Sequence, residues 1–213
     1  MLIIIPRFKL WFSFAPLGAL YIASVLEKKG VKVSLIEANR FSEAGFYSKL
    51  DEEIRPHDTV GISANVSHAA SGLEIAGYIR RKYPDRKIIW GGPYASTEYS
   101  WIIPKYGDIA VIGEGERQIT EIAACKSLDS IRGIAYFSGG QVKLNERCSF
   151  IEDLDELPFP AWHLVDPASY DFPGRKPAFS MMTQRGCPFR CINCSTYMHG
   201  NSFRSRSFSD IAD

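Results

Sequence analysis

Three cysteines near the end of the chain have the spacing that most clearly predicts chemistry. Cys187, Cys191 and Cys194 form a Cys-x3-Cys-x2-Cys pattern. Thiolates this close in sequence can converge on one compact metal centre, and a four-iron cluster held by three cysteines leaves one iron without a protein ligand. Catalytic metal sites keep such an open position, whereas structural sites avoid it. The pattern therefore predicts a [4Fe–4S] cluster whose open iron could bind a small ligand through an amine and a carboxylate.

The residues around these cysteines suit the same interpretation. Arg185 and Arg190 flank the first two cysteines, and their positive charge favours the thiolate form of a neighbouring thiol. Gly186 and Pro188 are typical of a loop in which the backbone closely approaches a bound group.

Two alternatives remain open for the cysteine pattern. His199 lies five residues after Cys194, so a zinc site with three cysteines and one histidine is chemically possible. The other alternative is three free thiols in a loop. The total of five cysteines is odd and three are crowded together, which argues against a disulfide framework and indicates a reducing compartment.

Short apolar runs alternate with helical patterns before this region. The predicted strands are Leu2–Ile5, Val31–Ile36, Thr59–Ser63, Lys87–Trp90 and Asp108–Ile112. The predicted helices are Leu17–Lys29, Glu43–Glu53, His68–Tyr83, Tyr94–Ile103 and Glu116–Ala124. Near-continuous apolar strands between helices predict an α/β fold, a doubly wound, Rossmann-like parallel sheet of five strands covered on both faces.

In such a sheet, ligands bind beyond the carboxyl ends of the strands. The residues predicted to lie at these strand ends and to bind a cofactor are Pro16, Leu17, Gly18, Ser63, Ala64, Asn65, Gly91, Gly92, Pro93, Gly113, Glu114, Gly115 and Glu116.

The remainder of the chain divides into two further parts. Ile131–Phe137 and Gln141–Leu144 are typical of a β-hairpin, and Ile151–Pro177 of an ordered linker. Ala178–Thr183 is predicted to be a strand that opens a second domain. The predicted domains are therefore residues 1–127, residues 128–177 with the hairpin and linker, and residues 178–213.

Charge and hydropathy limit the partners of the chain. A formal net charge of +1 gives no electrostatic reason to expect nucleic acid. The uncharged run Leu10–Leu26 is interrupted by Pro16 and Gly18, which argues against both a signal peptide and a membrane span. A cytoplasmic protein without a membrane span is expected.

The cysteine segment resembles the signature of the radical S-adenosylmethionine (SAM) superfamily. The matching residues are Thr183-Gln-Arg-Gly-Cys-Pro-Phe-Arg-Cys-Ile-Asn-Cys-Ser195 and the Arg-rich stretch Phe203-Arg-Ser-Arg-Ser207. The resemblance implies that the three cysteines hold a [4Fe–4S] cluster that binds SAM and cleaves it to a 5′-deoxyadenosyl radical. Asn193 departs from the family pattern, in which an aromatic residue before the third cysteine lies against the adenine.

The first domain resembles the cobalamin-binding domain found ahead of one large group of radical SAM barrels. Three segments of this domain carry the match, Ala15–Ala23, Trp90–Tyr94 and Val111–Glu116, and the linker segment Asp153–Ala161 also fits. The resemblance implies that Gly91 and Gly92 leave a slot for the nucleotide tail of cobalamin and that Ser63 hydrogen-bonds a tail nitrogen.

The loop after the first strand departs from many cobalamin domains. Residues 6–18 contain neither Asp nor His, so no histidine of this loop is expected to bind cobalt from below. Trp11, Phe12 or Phe14 could cover that face of the corrin instead.

Together the two resemblances imply a cobalamin-dependent radical SAM enzyme, with a methyl group transferred from methylcobalamin to an unactivated carbon. A radical SAM cyclase or rearrangement enzyme is the alternative within the same family. A non-catalytic cobalamin-binding fragment, a zinc-stabilised module and a domain for another nucleotide-like ligand remain alternatives outside it. The implied partners are a small-molecule substrate and an electron donor such as a flavodoxin or ferredoxin, and no catalytic side chain is predicted.

Overall fold

The computed structural model of the chain describes residues 1–8, 14–170, 179–194 and 196–212. Within these ranges the strands are β1 (Leu2–Ile5), β2 (Ser34–Glu37), β3 (Thr59–Ser63), β4 (Lys87–Gly91), β5 (Ile109–Val111), β6 (Ile134–Ser138), β7 (Gln141–Leu144), β8 (Gln184–Arg185) and β9 (Arg204–Ser205). The helices are α1 (Leu17–Glu27), α2 (Glu43–Glu53), α3 (Ala69–Lys82), α4 (Pro93–Tyr106), α5 (Glu116–Ala123) and α6 (Phe208–Ala212).

The main sheet has the strand order β2-β1-β3-β4-β5-β6-β7. Strands β1 to β5 pair in parallel, as predicted. Strands β6 and β7, predicted as a separate hairpin, instead extend the sheet by antiparallel pairing on β5. This addition covers the edge of β5, whose backbone groups would otherwise lack partners. The sheet therefore crosses the predicted boundary near residue 127, and the domain limits stay predictions.

The two faces of the sheet are both buried, which explains the continuous apolar strands. Along β1, Leu2 and Ile4 pack towards α2, α3 and α4, while Ile3 packs towards α1 and α5. In β4, Trp90 packs towards α2, α3 and α4, and Ile89 packs towards α1 and α5. Since successive strand residues point to opposite faces, this alternation places one apolar layer on each side of the sheet.

The described part of the linker, residues 151–170, packs against the sheet and its helices. Leu154 and Leu157 are buried against the α1 side of the sheet. Tyr170 is fully buried, and its hydroxyl donates a hydrogen bond to Glu37 at the end of β2 over 2.5 Å. Residues 171–178 lie outside the described residues.

The predicted strand Ala178–Thr183 is wrong over its described part. Residues 179–183 form no strand, and the first strand of this region is β8, which pairs antiparallel with β9. A barrel strand requires parallel neighbours, and the described residues after the linker provide only this antiparallel partner. An extended apolar segment has the same sequence pattern whether or not a neighbouring strand pairs with it. Across the described part of the chain, no helix combines the length and apolar character that crossing a membrane requires.

Candidate functional site

A cavity of about 510 Å³ lies at the carboxyl ends of the parallel strands, with β1, β3, β4 and β5 on one side and α1 and α5 on the other. This volume falls within the range of roughly 300–1,000 Å³ typical of small-molecule sites. Apolar side chains such as Ile3, Ile22 and Ile119 form much of its wall. The lining also includes most residues predicted to bind a cofactor, namely Leu17, Gly18, Ser63, Gly91, Gly92, Pro93, Gly113, Glu114, Gly115 and Glu116.

Three other predicted cofactor residues, Pro16, Ala64 and Asn65, do not line the cavity. The amide of Ala64 donates a hydrogen bond to the carbonyl of Gly91 over 3.0 Å. The Asn65 side chain accepts hydrogen bonds from two backbone amides of the next turn at 2.9 and 3.3 Å. Pro16 immediately precedes the first turn of α1. Ala64 and Asn65 therefore hold the loop after β3 at the rim of the cavity.

Two glycines of the sheet, Gly61 and Gly91, line the cavity. Gly61 lies in the middle of β3, where a Cβ atom would stand 2.5 Å from the Met1 Cε atom. Gly91 ends β4, and a Cβ atom there would meet no atom within 4 Å, because the space beside it is part of the cavity. Gly91 was predicted from the sequence to belong to the site, whereas Gly61 was not. A glycine inside a buried strand was the available signal, because it often marks a close approach by another group.

Gly92 has a different role from Gly91. Its φ of 86° lies in the region that favours glycine, and a Cβ atom would stand 2.6 Å from the carbonyl oxygen of Ala64. The same carbonyl accepts a hydrogen bond from the amide of Tyr94 over 3.1 Å. Gly92 therefore lets the loops after β3 and β4 lie against each other at the rim of the cavity.

A buried group of four charged residues, here named the Glu–Arg cluster, borders the cavity. It consists of Glu114, Glu116, Arg185 and Arg204, whose side chains are between 4% and 10% exposed. Arg204 donates to both carboxylate oxygens of Glu114, at 2.8 and 3.1 Å. Arg185 donates to Glu116 and lies 3.4 Å from Glu114. The cluster thus joins the β5–α5 loop to strands β8 and β9.

The backbone and the arginines hold Glu114 in its ionised form. Burial alone would raise the pKa of its carboxyl group, but hydrogen bonds from Arg204 and the Ile151 amide and the charge of Arg185 lower the pKa below its ordinary value. The Ile151 amide donates over 2.9 Å. These interactions with positive or donor groups therefore outweigh the desolvation of the carboxylate.

Both arginines of the Arg-rich stretch, Arg204 and Arg206, are buried. Arg204 is 6% exposed and Arg206 is 4% exposed. Arg206 pairs with Asp210, donates to the carbonyl of Leu157 over 3.1 Å and lies 5.6 Å from the centre of the Tyr21 ring. The Arg-rich stretch therefore packs the region after the cysteines onto α1 and the linker.

The three cysteines lie between β8 and β9, in a segment here named the cysteine hairpin (residues 184–205). The amide of Cys187 donates to the carbonyl of Gly200 over 3.1 Å, and the amide of Cys194 donates to the carbonyl of Cys191 over the same distance. Cys187 is half-buried, whereas Cys191 and Cys194 are exposed and line a second cavity of about 270 Å³. Arg190 also lines this second cavity.

The donor set of the cysteine hairpin suits a thiolate-bound cluster, because all three predicted ligands lie on one loop with a cavity beside two of them. Over the described ranges, no group of three or more His, Cys, Asp or Glu side chains is arranged to hold a metal ion. The assignment of Cys187, Cys191 and Cys194 as cluster ligands, like the zinc alternative, stays a prediction.

His199, the fourth ligand of the zinc alternative, lines the larger cavity beside the Glu–Arg cluster. Burial lowers the pKa of His199 and favours its neutral form. Its Nδ1 atom is buried and has no hydrogen-bond partner among the described residues.

The loop after β1 falls partly outside the described residues, including Trp11 and Phe12, which were predicted to cover one face of the corrin. Phe14 is 49% exposed. The described part packs on neighbouring loops: Arg7 donates to the carbonyls of Ala38 and Phe41 at 3.1 and 2.9 Å.

Comparison with known proteins shows a consistent set of relatives. An uncharacterized methyltransferase of Pyrococcus horikoshii is 29% identical over 208 residues, which cover 93% of this chain and 44% of that protein. An anaerobic magnesium-protoporphyrin IX monomethyl ester cyclase of a Synechocystis species is 28% identical over 189 residues, which cover 84% of this chain and 37% of that protein. The chain thus spans less than half the length of these curated relatives.

The fold is also similar to solved structures. The cobalamin-dependent S-adenosylmethionine radical enzyme OxsB, solved with aqua-cobalamin and S-adenosylmethionine bound, superimposes with a TM-score of 0.76 at 22% identity. The match covers 99% of this chain and 30% of that one. This likeness confirms the Rossmann-like fold predicted for the first part of the chain.

The model of one protein family, described as the B12 binding domain, matches residues 8–123. That range contains the cavity-lining ends of β3, β4 and β5 and the whole of α1 and α5. Because the match covers more than half of the sequence, the chain belongs to the B12-binding domain family.

Proposed function

We propose that the chain is the cobalamin-binding part of a radical SAM enzyme that transfers a methyl group to an unactivated carbon. The observation that carries this proposal is the continuity of the larger cavity. Its lining begins at Gly61 and Gly91 in the sheet and extends to Arg185 and Gly186, next to Cys187. One cavity is therefore bordered both by the B12-binding fold and by the residues that lead into the cysteine hairpin.

The wall of the cavity suits the nucleotide tail of cobalamin. The tail is flat and largely apolar at its base, and Gly91 leaves space at the end of β4 where another residue would place a side chain. Ile22 and Ile119 supply apolar contacts from the helices, and Ser63 places a hydroxyl group at the end of β3 for a tail nitrogen. A mostly apolar slot with a few polar groups is the usual form of a cofactor site.

The three cysteines are proposed as the ligands of a [4Fe–4S] cluster that binds SAM at its open iron. When bound, these cofactors supply a 5′-deoxyadenosyl radical, and methylcobalamin supplies the methyl group. The residues of this chain hold and orient the cofactors: the sheet loops border one, and the cysteine hairpin presents thiols to the other. A small-molecule substrate and an electron donor such as a flavodoxin or ferredoxin complete the proposed reaction.

A radical cyclisation is the second candidate. The Synechocystis relative is a cyclase by its name and matches 84% of this chain. For this second reaction we propose the same cavity and the same cysteine hairpin as the sites of the cofactors.

Substitution of Gly91 tests the cobalamin site. Gly91→Val is expected to weaken hydroxocobalamin binding by more than about tenfold, because the new methyl groups occupy the cavity. A Cβ atom at this position meets nothing within 4 Å, so the thermal unfolding midpoint should stay close to that of the unsubstituted protein. Binding is measured by absorption titration, with Gly91→Ala as an intermediate case.

The matched control is Gly77→Ala, because Gly77 lies on α3 and an added Cβ atom there meets the flexible end of Arg81 at 3.4 Å. Gly77→Ala should bind hydroxocobalamin with unchanged affinity. Absence of hydroxocobalamin binding by the unsubstituted chain, or equal affinity of Gly91→Val, would contradict the proposed site.

A further inference from the structure

Glu116 borders the larger cavity and also accepts a hydrogen bond from an arginine of the cysteine hairpin. It is the first residue of α5, is 6% exposed and lines the larger cavity. One carboxylate oxygen, Oε1, accepts a hydrogen bond from Arg185. The other, Oε2, is buried and has no hydrogen-bond partner among the described residues. Buried polar atoms in native proteins are nearly always paired, so an unpaired carboxylate oxygen beside a cavity indicates that a donor from a ligand belongs there.

The neighbouring carboxylate provides a direct contrast. Both oxygens of Glu114 are occupied, one by Arg204 and Arg185 and the other by Arg204 and the amide of Ile151. Two glutamates on one short loop therefore differ: protein groups saturate Glu114, whereas Glu116 keeps one acceptor available. His199 Nδ1 is a second buried atom without a partner in the described residues, and His199 lines the same cavity.

The partner of the bound oxygen leads directly to the predicted cluster ligands. Arg185 belongs to β8 and is followed by Gly186 and Cys187. Gly186 has a φ of 84°, and a side chain there would overlap the carbonyl of Ser202. The backbone between Arg185 and Cys187 is therefore closely confined, so the position of the arginine fixes the start of the cysteine hairpin.

We propose that Glu116 is a positioning residue that couples the cofactor cavity to the cysteine hairpin. Its Oε2 atom accepts a hydrogen bond from a primary amide or hydroxyl group of cobalamin in the cavity, while Oε1 holds Arg185. This inference rests on the proposed cobalamin site. Cobalamin suits the free acceptor because primary amides surround its corrin ring and hydroxyl groups belong to its tail. Since coupling between two sites is reciprocal, cobalamin that orders Glu116 also orders the hairpin.

The first experiment measures cobalamin affinity without any catalytic turnover. Glu116→Gln keeps the size of the side chain but cannot offer one acceptor to Arg185 and another to the ligand. The dissociation constant for hydroxocobalamin, measured by absorption titration of the reduced, cluster-free chain, is expected to increase about tenfold. Glu121→Gln is the matched control: Glu121 lies on the same helix, its side chain is 35% exposed and it pairs with Lys126, so its affinity should not change.

The second experiment measures the coupling itself through the rate at which N-ethylmaleimide alkylates Cys187. Saturating hydroxocobalamin is expected to slow this alkylation at least about threefold in the unsubstituted chain and in Glu121→Gln. In Glu116→Gln the rate should be the same with and without hydroxocobalamin, even at concentrations that saturate the variant. A residue with only a structural role would change the rate in both states and leave their ratio intact.

The outcomes separate the inference from the proposed function. If the unsubstituted chain binds hydroxocobalamin and Glu116→Gln retains the same affinity and the same protection of Cys187, the coupling is overturned while the cobalamin site stands. If the unsubstituted chain fails to bind, the cobalamin site and the coupling are both overturned. Should circular dichroism show that Glu116→Gln is unfolded, Glu116→Asp provides the same comparison, because the shorter carboxylate reaches only one of the two partners.

Discussion

Glu114 connects more separate parts of the chain than its place on a short loop suggests. Its carboxylate accepts from the backbone of Ile151 in the linker and from Arg204 after the cysteines. All of these groups are buried, and a buried charge is tolerated when it is paired and hydrogen-bonded. A single carboxylate thereby fixes the β5 loop, the linker and the cysteine hairpin against one another.

The pairing of Glu114 predicts a specific loss of stability in acid. Because its pKa is lowered in the folded protein, its contribution is fully present above the unfolded value of about 4.3 and is lost as the pH falls through the lower folded value. Glu114→Gln should lower the free energy of unfolding by about 1–3 kcal/mol near pH 7. This difference from the unsubstituted protein should shrink steadily below about pH 4.

Urea unfolding midpoints measured across this pH range test the prediction. Glu121→Gln serves as the control, because its exposed pair with Lys126 should contribute less than about 1 kcal/mol at every pH. An equally large effect of Glu114→Gln at pH 3 and pH 7 would show that the ionised carboxylate is not what stabilises the fold.

At the scale of single residues, the ion pairs of the Glu–Arg cluster could not be predicted from the sequence. The loop Gly113–Glu116 and the arginines were recognised as separate motifs, yet their pairing was not predicted. Glu114 and Arg204 are 90 residues apart in sequence, and no local periodicity relates the two. Only the fold determines which arginine reaches which carboxylate, so burial of these charges was not foreseeable from their motifs.

At the scale of elements, the parallel strands were predictable because both faces of the sheet are buried. Strands β1 and β3 and helix α2 have the predicted bounds, and the other strands of the parallel sheet differ by up to three residues at their ends. Helix α4 extends past its predicted end at Ile103 and includes Pro104. The contact between the loops after β3 and β4 depends on the positive φ of Gly92, which the pair of adjacent glycines in the sequence suggests but does not specify.

Replacement of Gly92 tests that contact. Gly92→Ala should destabilise the fold by at least about 1–3 kcal/mol, because an alanine is strained at this backbone conformation and its Cβ atom would stand 2.6 Å from the Ala64 carbonyl oxygen. The measurement is the free energy of unfolding in urea. Gly139→Ala, at a φ of 60° with nothing within 4 Å of the added atom, isolates the backbone strain and should cost about 1 kcal/mol. Equal losses for the two variants would exclude the steric contact.

Two elements differed from the prediction for physical reasons that the sequence pattern does not contain. Strands β6 and β7 were correctly placed, but a hairpin pattern does not say which sheet edge it pairs with. The apolar residues after the linker were taken for a strand, although a strand forms only where a neighbour supplies hydrogen bonds. In both cases the missing information is the identity of the pairing partner.

At the scale of the whole molecule, the two proposed cofactor regions share one border. The sheet with its cavity lies on one side and the cysteine hairpin on the other, and the Glu–Arg cluster is buried between them. The exposed cysteines Cys191 and Cys194 lie at the far part of the hairpin. This arrangement places the predicted cluster ligands beside the cavity without making them part of its wall.

Iron and sulfide analysis tests the cysteine assignment. Anaerobic reconstitution should give a brown protein with roughly four irons and four sulfides. Alanine substitutions of Cys187, Cys191 or Cys194 should each abolish most of the iron content, because three thiolates are needed to hold the cluster. Cys148→Ala, a change at a half-buried cysteine outside the hairpin, should leave the content unchanged. A colourless protein with one bound zinc would instead support the zinc alternative.

The pinned ends of the cysteine hairpin have a thermodynamic consequence for the loop between them. Arg185 and Arg204 are neighbours in the β8–β9 pairing, and both are held by buried carboxylates. Closing a flexible loop on the order of 20 residues costs about 2–3 kcal/mol of chain entropy. In this protein, folding of the sheet and linker already brings the two ends of the loop together, so metal binding does not have to supply that free energy. A group that gathers the three thiols then has to order only the interior of a loop whose ends are joined.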